Sequence, residues 1–285
     1  MKTTVIDGVT LHLSNPDHLD SLWVGNMEVL YQLMACWMVV HPDDIPLNPR
    51  LVGRPGVGKT TLASSAAKQM NKPAYIFQAT MDTRPEDLLV TPVISENGKI
   101  KYVASAIVTA MIEGGIAILD EGNRMGEKSW ASLAPLLDHR RYIESIVSGI
   151  KIKAHPDFRF CATMNEDAST YEVPEYIQSR LQPQIYIDFA DAEEETEILR
   201  ANMPFSPDEV ISYVVDFLQK AHVEDEPYSV RDGINITRMV LKLADSKKYM
   251  TRSENGLIIE PARLNELLHD SVMGILGDDA LRYLQ

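Results

Sequence analysis

The feature that most constrains this chain of 285 residues is a glycine-rich loop at residues 53–60, with the sequence GRPGVGKT. This sequence fits G-x-x-x-x-G-K-[ST], the pattern of a loop whose backbone N–H groups surround phosphate oxygens. A helix-forming segment, residues 61–70, follows at once, and the positive end of its dipole would face the same phosphates. A glycine turn in front of an ordinary helix is the alternative. The complete pattern favours a site for a nucleoside triphosphate.

Each part of the loop has an expected role. Gly53 and Gly58 are expected to let the backbone turn tightly and direct its N–H groups inward. Lys59 is expected to reach the β- and γ-phosphates, and the Thr60 hydroxyl to ligate Mg²⁺. The residues predicted to bind the nucleotide are Gly53, Pro55, Gly56, Val57, Gly58, Lys59, Thr60, Thr61 and Asp120.

Between about residues 50 and 190, apolar runs typical of buried strands alternate with helical patterns. This alternation predicts an α/β fold, a P-loop NTPase parallel sheet flanked by helices. The predicted strands are 51–52, 74–78, 116–120, 158–164 and 184–189, and the predicted helices are 61–70, 105–113 and 128–138. Two predicted hairpins interrupt the alternation, at 93–103 with a turn at Asn97-Gly98 and at 141–153 with a turn near Ser148-Gly149.

The sequence predicts two domains. Residues 1–190 are expected to form the nucleotide-binding α/β core, with residues 1–48 as a helical lead-in, and residues 191–285 to form a helical lid. The lid begins with a run of carboxylates whose charge suits a helix N-terminus, and a solvated helix face is the favoured interpretation of that run. Further amphipathic helices are predicted at 208–219, 234–245 and 262–273.

Composition excludes some classes of protein. A formal net charge of −14 disfavours a protein whose whole surface grips duplex DNA, although it is compatible with a local basic patch. Cys36 and Cys161 lie far apart in apolar surroundings and are expected to be buried and reduced. The first residues lack the pattern of a signal peptide, and the apolar segment 27–40 is too short and interrupted to span a bilayer. We therefore expect a cytoplasmic protein without membrane insertion.

Two carboxylates, Asp120 and Glu121, close the apolar strand at 116–120. If the strand geometry continues, their side chains alternate and cannot have the same role. Asp120 is expected to hold Mg²⁺, and Glu121 to orient or deprotonate the water that attacks the γ-phosphate. An acidic pair at a strand end is common by itself, but together with the upstream loop it becomes a strong signal of nucleotide hydrolysis.

Asn165 follows the apolar strand 158–164. If this strand lies between the strands that carry the loop and the acidic pair, the Asn165 amide would lie beside the γ-phosphate. A turn-forming asparagine is an equally good interpretation of the residue in isolation.

These motifs together resemble the AAA+ ATPases and, within them, the MoxR-like group. The resemblance covers residues 50–190 well and the C-terminal part loosely. It implies an ATP- and Mg²⁺-dependent ATPase that forms a ring, often hexameric, and remodels a partner protein, often beside a protein with a von Willebrand factor A-type domain. It also implies a hairpin at each of the two predicted places. The matching stretches are GRPGVGKT, Gln78-Ala79-Thr80, RPEDL at 84–88, ILDEGNR at 118–124, CATMN at 161–165 and VPEYIQSRL at 173–181.

The resemblance also implies roles for arginines. Arg180 matches the arginine that such proteins send into the neighbouring subunit's nucleotide site, although its flanking residues depart from the usual Asp and Phe. A solvent-facing helix arginine is the alternative. Arg231 lies in YSVR at 228–231, which resembles a sensing motif on the lid, and Arg238 is its rival on the same helix face. Arg124 is a further candidate for a contact across a subunit boundary.

A basic cluster of Arg140, Arg141, Lys151 and Lys153 flanks the second hairpin. Charge that protects a β-edge is the favoured explanation, and a pore surface that contacts an acidic client is the sharper hypothesis. The first functional interpretation of the chain is a chaperone-type ATPase. The alternatives are a nucleic-acid motor or clamp loader with the same fold, and a regulatory ATP-binding module without turnover.

Overall fold

The computed structural model describes residues 2–19, 22–94, 98–166, 171–253 and 256–284. The chain divides into two compact units. One, the sheet unit, comprises the described parts of residues 1–23, 28–53 and 58–187. The other, the helical unit, comprises the described parts of residues 24–27, 54–57 and 188–285, so the middle of the glycine-rich loop groups with the helices.

The helices and strands follow in chain order. The strands are β1 (Thr3–Ile6), β2 (Val9–His12), β3 (Arg50–Gly53), β4 (Ala74–Gln78), β5 (Val90–Ile94), β6 (Ile100–Ala104), β7 (Ile116–Asp120), β8 (Tyr142–Ser145), β9 (Ile150–Lys153), β10 (Arg159–Asn165), β11 (Gln184–Tyr186), β12 (Met250–Ser253) and β13 (Gly256–Ile259). The helices are α1 (Met27–Trp37), α2 (Lys59–Gln69), α3 (Pro85–Leu88), α4 (Ala106–Glu113), α5 (Glu127–Leu133), α6 (Glu175–Gln178), α7 (Ala192–Asn202), α8 (Asp208–Val223), α9 (Val230–Ser246) and α10 (Pro261–Leu276). Two 3₁₀ helices cover Gly122–Arg124 and Asp278–Tyr283.

The central sheet of the sheet unit has the strand order β11-β3-β10-β7-β4, and every pair in it is parallel. The predicted α/β fold is therefore confirmed. All residues of β10 are buried, as expected for a central strand of a parallel sheet, which is covered on both faces. Helices α2 and α4 both contact β4 and β7. The predicted helix at 128–138 ends earlier, at Leu133, because Pro135 has no N–H to continue it.

The lead-in at residues 1–48, expected to be helical, contains the helix α1 and also the strands β1 and β2. These strands form an antiparallel hairpin through Asp7 and Gly8, which both have positive φ, 49° and 81°. Asp-Gly is a common pair in such turns because both positions require φ above zero. The sequence therefore contained the signal for this hairpin.

The two predicted hairpins differ in how much of them is described. Strands β5 and β6 pair antiparallel, and β6 also pairs in parallel with β2, so the N-terminal hairpin and this one form one sheet, β1-β2-β6-β5. The predicted turn residue Asn97 lies outside the described residues. The second hairpin, β8 with β9, is antiparallel and has Gly149 at positive φ in its turn.

Helix α1 is tied to the central strand β10 by its last residue, Trp37. The Trp37 indole N–H donates to the Phe160 carbonyl at 3.0 Å, and the Arg159 Nε donates to the Trp37 carbonyl at 2.5 Å. The Trp37 side chain is fully buried. Cys36 and Cys161 are buried free thiols, and burial raises the pKa of Cys36 to about 11.

The helical unit has its own apolar core, contributed by α7, α8, α9 and α10. Helix α7 is capped by Asp191, whose carboxylate accepts from the N–H groups of Glu193 and Glu194 at 3.0 and 2.9 Å. The interpretation of this acidic run as a solvated face is wrong for Glu195, which is 1% exposed. Glu195 accepts a hydrogen bond from Gln219 at 2.9 Å, and burial raises its pKa to about 7.

No helix within the described ranges is both long and apolar enough to cross a lipid bilayer.

Replacement of Trp37 by Ala is expected to lower the free energy of unfolding by about 3–5 kcal/mol, because it removes a fully buried ring and its hydrogen bond. Chemical denaturation followed by circular dichroism measures this loss. The matched control is Tyr31→Ala, since Tyr31 is an aromatic residue of the same helix that is 55% exposed. Equal losses in the two variants would contradict the anchoring role of Trp37.

Candidate functional site

The candidate site lies at the carboxyl ends of three neighbouring parallel strands. Strand β3 ends at Gly53, β10 at Asn165 and β7 at Asp120. Asn165 is level with Gly53 in the sheet register, and β10 lies between the other two strands, as the prediction for Asn165 required. Ligands of open α/β sheets bind outside the carboxyl ends of the strands. Gly53 at the start of the loop, the acidic pair and Asn165 therefore meet at the carboxyl ends of neighbouring strands.

The glycines of the loop differ from the expectation in one respect. Gly53 is the last residue of β3 and pairs with β10, so it does not make the tight turn. The left-handed conformation occurs at Gly56 and Gly58, with φ of 86° and 95°. A Cβ on Gly58 would lie 3.1 Å from the Trp23 ring in addition to this backbone strain. These positions need glycine because other residues rarely adopt positive φ.

Lys59 opens helix α2 and is buried, with 7% of its surface exposed. Its ammonium group donates a hydrogen bond to the Gly53 carbonyl at 2.8 Å. A lysine in the first turn of a helix adds its charge to the positive end of the helix dipole. This arrangement suits an anion with several oxygens.

The middle of the loop contacts residues of the helical unit, to which it belongs. The Arg54 guanidinium donates to the Asp225 carbonyl at 3.1 Å, forms an ion pair with the Asp225 carboxylate, and lies 5.0 Å from the centroid of the Phe189 ring. A Cβ on Gly56 would lie 2.2 Å from the Ser229 hydroxyl. The sequence-based analysis gave no role to Arg54.

Asp120 is held by two hydroxyl groups. Thr60 of α2 and Thr163 of β10 both donate to its Oδ1 atom, at 2.5 and 2.6 Å. The Thr163 hydroxyl also accepts the backbone N–H of Glu121 at 3.0 Å. Thr163 thus fixes both carboxylate residues, and its role was missed because it depends on the neighbouring strand.

Glu121 leaves the strand geometry, since its φ is 53° and β7 ends at Asp120. Both oxygens of its carboxylate have partners. The Asn165 side-chain amide donates to Oε1 at 3.0 Å, and the Arg124 Nε lies 2.6 Å from Oε2. Glu121 remains 30% exposed, so water can reach the carboxylate.

Asn123 positions Asn165 and was also missed by the sequence-based analysis. The Asn123 amide donates to the Asn165 carbonyl at 2.7 Å, and its oxygen accepts the Asn165 N–H at 3.3 Å. Both residues are buried. A polar residue two positions after the acidic pair was the available signal, but its partner could not be read from the sequence.

The residues around Asp120 fit a magnesium ion in their chemistry. Mg²⁺ prefers oxygen ligands and is usually held by one or two protein oxygens, with substrate phosphates and water completing its shell. The Thr60 hydroxyl and the Asp120 carboxylate supply such oxygens and already contact each other. Both are therefore suitable ligands for Mg²⁺ at the phosphate loop.

Arg180 is not among the side chains gathered around Glu121. It follows helix α6, where its guanidinium donates to the Tyr176 carbonyl and its Nε lies 3.6 Å from an Asp138 oxygen. In the basic cluster, Arg140 pairs with Asp138 and Arg141 donates to the Phe158 carbonyl at 2.8 Å. Arg140 and Arg141, two of the four basic residues interpreted as edge protection, are therefore held by contacts within the subunit.

Arg231 and Arg238 both lie on helix α9 of the helical unit and are exposed. Ser229, before Arg231, is the helix N-cap, and its side chain and backbone N–H both bond to Asp232. The serine of the YSVR stretch thus has a capping role that the spacing Ser-x-x-Asp indicates. Arg238 contacts Asn235 at 3.2 Å.

Comparisons with known proteins agree with this geometry. Residues 50–181 match the family model described as the AAA domain of the dynein-related subfamily. An uncharacterised protein of Staphylococcus aureus is 27% identical over 207 residues, which cover 71% of this chain and 78% of that protein. An uncharacterised protein of Staphylococcus haemolyticus is 26% identical over 205 residues, which cover 68% and 78%.

Two solved structures show the same fold at low sequence identity. The Holliday junction branch migration motor RuvB of Thermotoga maritima has a TM-score of 0.59 and 16% identity, with 90% of this chain and 72% of that chain covered. A putative ATPase from Cytophaga hutchinsonii has a TM-score of 0.50 and 19% identity, with 86% and 81% covered. Residues 50–181 of this chain are therefore similar to an AAA domain, and the two solved structures share its fold, a P-loop NTPase sheet of parallel strands flanked by helices.

Proposed function

We propose that this chain is an ATPase that hydrolyses ATP to ADP and phosphate with Mg²⁺, and that it acts in a ring of identical subunits. The observation that carries the proposal is the hydrogen-bonded network of Thr60, Asp120, Thr163, Glu121 and Asn165 at one sheet edge. A module that only binds ATP needs neither Glu121 nor Asn165 in such an arrangement. The network therefore favours hydrolysis over binding alone.

The residues divide the chemistry between them. Lys59 and the loop N–H groups would bind the phosphates, and Thr60 and Asp120 would hold Mg²⁺. When bound, Mg²⁺ neutralises part of the charge of the triphosphate. Glu121 would accept the proton of the attacking water, and Asn165 orients its carboxylate through the 3.0 Å hydrogen bond.

Arg180 would complete the site of the neighbouring subunit. A guanidinium is always charged and its planar shape meets the charge that spreads over the phosphate oxygens in the transition state. Arg231 of the helical unit would act within its own subunit as the sensor of the γ-phosphate, with Arg238 as the rival on the same helix. The chain carries an arginine for each of these two roles.

The assembly and the client follow from the resemblance to the MoxR-like group. We propose a hexameric ring in the cytoplasm that remodels a protein client, such as a protein with a von Willebrand factor A-type domain. The net charge of −14 supports a protein client over duplex DNA. The exposed Ile146 and Val147 at the tip of the β8–β9 hairpin, 94% and 48% exposed, would offer an apolar contact to such a client.

A nucleic-acid motor is the second candidate, because the fold is shared with a branch migration motor. The measurement that separates the two candidates is the rate of ATP hydrolysis with and without duplex and single-stranded DNA. Stimulation by DNA at physiological salt would favour the motor, whereas an unchanged rate favours a protein client.

The variant Lys59→Ala is expected to abolish measurable binding of ATP, a loss of affinity of at least about 100-fold, because it removes a charge-assisted contact to the phosphates. Fluorescence titration with a labelled ATP analogue measures the affinity. The matched control is Lys68→Ala, which removes an exposed lysine from the same helix. Equal affinity in the two variants would argue against a nucleotide at this loop.

The variant Glu121→Gln is expected to bind ATP normally and to hydrolyse it about 10²- to 10⁴-fold more slowly, because an amide cannot accept the proton of water. Single-turnover hydrolysis and the binding titration give the two values. Glu127→Gln, at an exposed position nearby, serves as the control and should keep the parent rate. Hydrolysis by Glu121→Gln at the parent rate would show that the base is another residue.

The variant Arg180→Ala is expected to hydrolyse ATP about 10³-fold more slowly, because the charge on the transferred phosphoryl group loses a partner. Mixing it with Lys59→Ala subunits, which retain Arg180 but not their own nucleotide, should restore part of the rate. Steady-state hydrolysis at several mixing ratios measures this rescue. If mixing restores nothing while mixed assemblies form, Arg180 does not act across the subunit boundary.

A further inference from the structure

Arg180 is folded back onto its own subunit by contacts with two residues. Its Nη1 donates to the Tyr176 carbonyl, and the guanidinium carbon lies 5.9 Å from the centroid of the Tyr176 ring. On another side, Arg180 Nε lies 3.6 Å from the Oδ2 atom of Asp138, and the arginine side chain is only 29% exposed. The side chain thus occupies a defined position within the subunit.

This position leaves Arg180 incompletely satisfied. Its Nε is buried and has no hydrogen-bond partner among the described residues. The 3.6 Å to Asp138 is an ion-pair distance but exceeds that of a hydrogen bond. A buried N–H of a charged group that makes no hydrogen bond destabilises the structure. If the guanidinium moved to a phosphate, a phosphate oxygen could accept the hydrogen bond that Asp138 does not accept here.

Arg140 competes with Arg180 for the same carboxylate. Its Nε donates to Oδ1 of Asp138 at 3.0 Å and its Nη2 to Oδ2 at 2.7 Å, which gives a two-point contact. This contact is the main reason why the pKa of Asp138 falls to about 2, so the carboxylate is charged at neutral pH. The charge of Asp138 is therefore divided between two guanidinium groups, and Arg140 has the larger share.

We propose that Asp138 is a positioning residue that holds Arg180 in a withdrawn position on its own subunit, and that Arg140 limits the strength of this hold. Asp138 is 15% exposed, so it would be left as a poorly solvated anion if Arg180 departed and nothing else paired with it. Arg140 keeps Asp138 paired in that event. Arg180 can then leave for the phosphates of a neighbouring subunit at low cost.

This inference rests on the proposed role of Arg180 across the subunit boundary. Its test uses two kinds of full-length subunit. The recipient is Arg180→Ala, which binds ATP but lacks the arginine, and the donor is Lys59→Ala, which supplies Arg180 but binds no nucleotide. Hydrolysis in the mixture then reports on donor arginines that act in recipient sites. Light scattering of each mixture verifies that the assemblies form.

The variant Asp138→Asn is isosteric and removes the ion pair. Placed in the donor, it is expected to raise the rate of the mixture about threefold, which is the scale of one partly exposed ion pair. Placed in the recipient, it should change nothing, since the recipient has no Arg180 to hold. The variant Arg140→Gln in the donor is expected to lower the rate about two- to threefold, because Asp138 then holds Arg180 undivided.

The control is Asp157→Asn in the donor, which also removes one aspartate ion pair of the sheet unit, with Lys72 at 3.3 Å. It should leave the rate of the mixture unchanged. Melting temperatures equal to that of the parent donor verify that all donor variants are folded.

The possible results separate the inference from the proposed function. If the original donor and recipient show no hydrolysis when mixed, the role of Arg180 fails and the inference fails with it. If they do, but Asp138→Asn in the donor leaves the rate unchanged or lowers it, only the inference is overturned. An equal increase from Asp138→Asn in the recipient would overturn it as well, since the effect would not depend on Arg180.

Discussion

The position of β10 between β3 and β7 is the constraint on which the site depends. Ala162 is level with Leu119 of β7, so Thr163 is level with Asp120 and can donate to it at 2.6 Å. The same strand places Asn165 level with Gly53, at the start of the loop. Because side chains alternate along a strand, a shift of one residue in the pairing of β10 with β7 would turn Thr163 away from Asp120. Tight burial of β10 and the contacts of Trp37 with its first residues oppose such a shift.

Much of this could be predicted from the sequence, because it depends on local patterns. The loop is a specific pattern of glycines and a lysine. The strand before the acidic pair and the strand before Asn165 are short apolar runs, which predict buried strands. The roles of Thr163 and Asn123 could not be predicted, since each depends on a partner 42 or 43 residues away in the sequence. The N-terminal hairpin is a different kind of error, because Asp7 and Gly8 gave a local signal and the helical expectation ignored it.

Glu121, the proposed base, and Arg180, the proposed arginine of the neighbouring site, each form an ion pair within their own subunit. Arg124 lies 2.6 Å from the Glu121 carboxylate, and Asp138 lies 3.6 Å from the Arg180 guanidinium. In each pair the opposite charges hold the side chain in its position. The proposed base and the proposed arginine are thus both restrained by the subunit that carries them. Such restraint is consistent with the proposal that hydrolysis requires contact between subunits.

The helical unit shows why a run of like charges cannot be interpreted from composition alone. Acidic residues in the first turn of α7 all suit the helix dipole, yet only Glu195 faces the helix α8 and is buried there. Gln219 of α8 donates both to Glu195 and to the Ala190 carbonyl. These two hydrogen bonds hold the start of α7 and the residues just before it against α8. Burial raises the pKa of Glu195 from 4.5 to about 7, so the folded state binds a proton that the unfolded state releases between these values. The contribution of Glu195 to the free energy of unfolding therefore falls as the pH rises through this window. An ion-paired carboxylate with a lowered pKa has the opposite effect, because its contribution rises with pH.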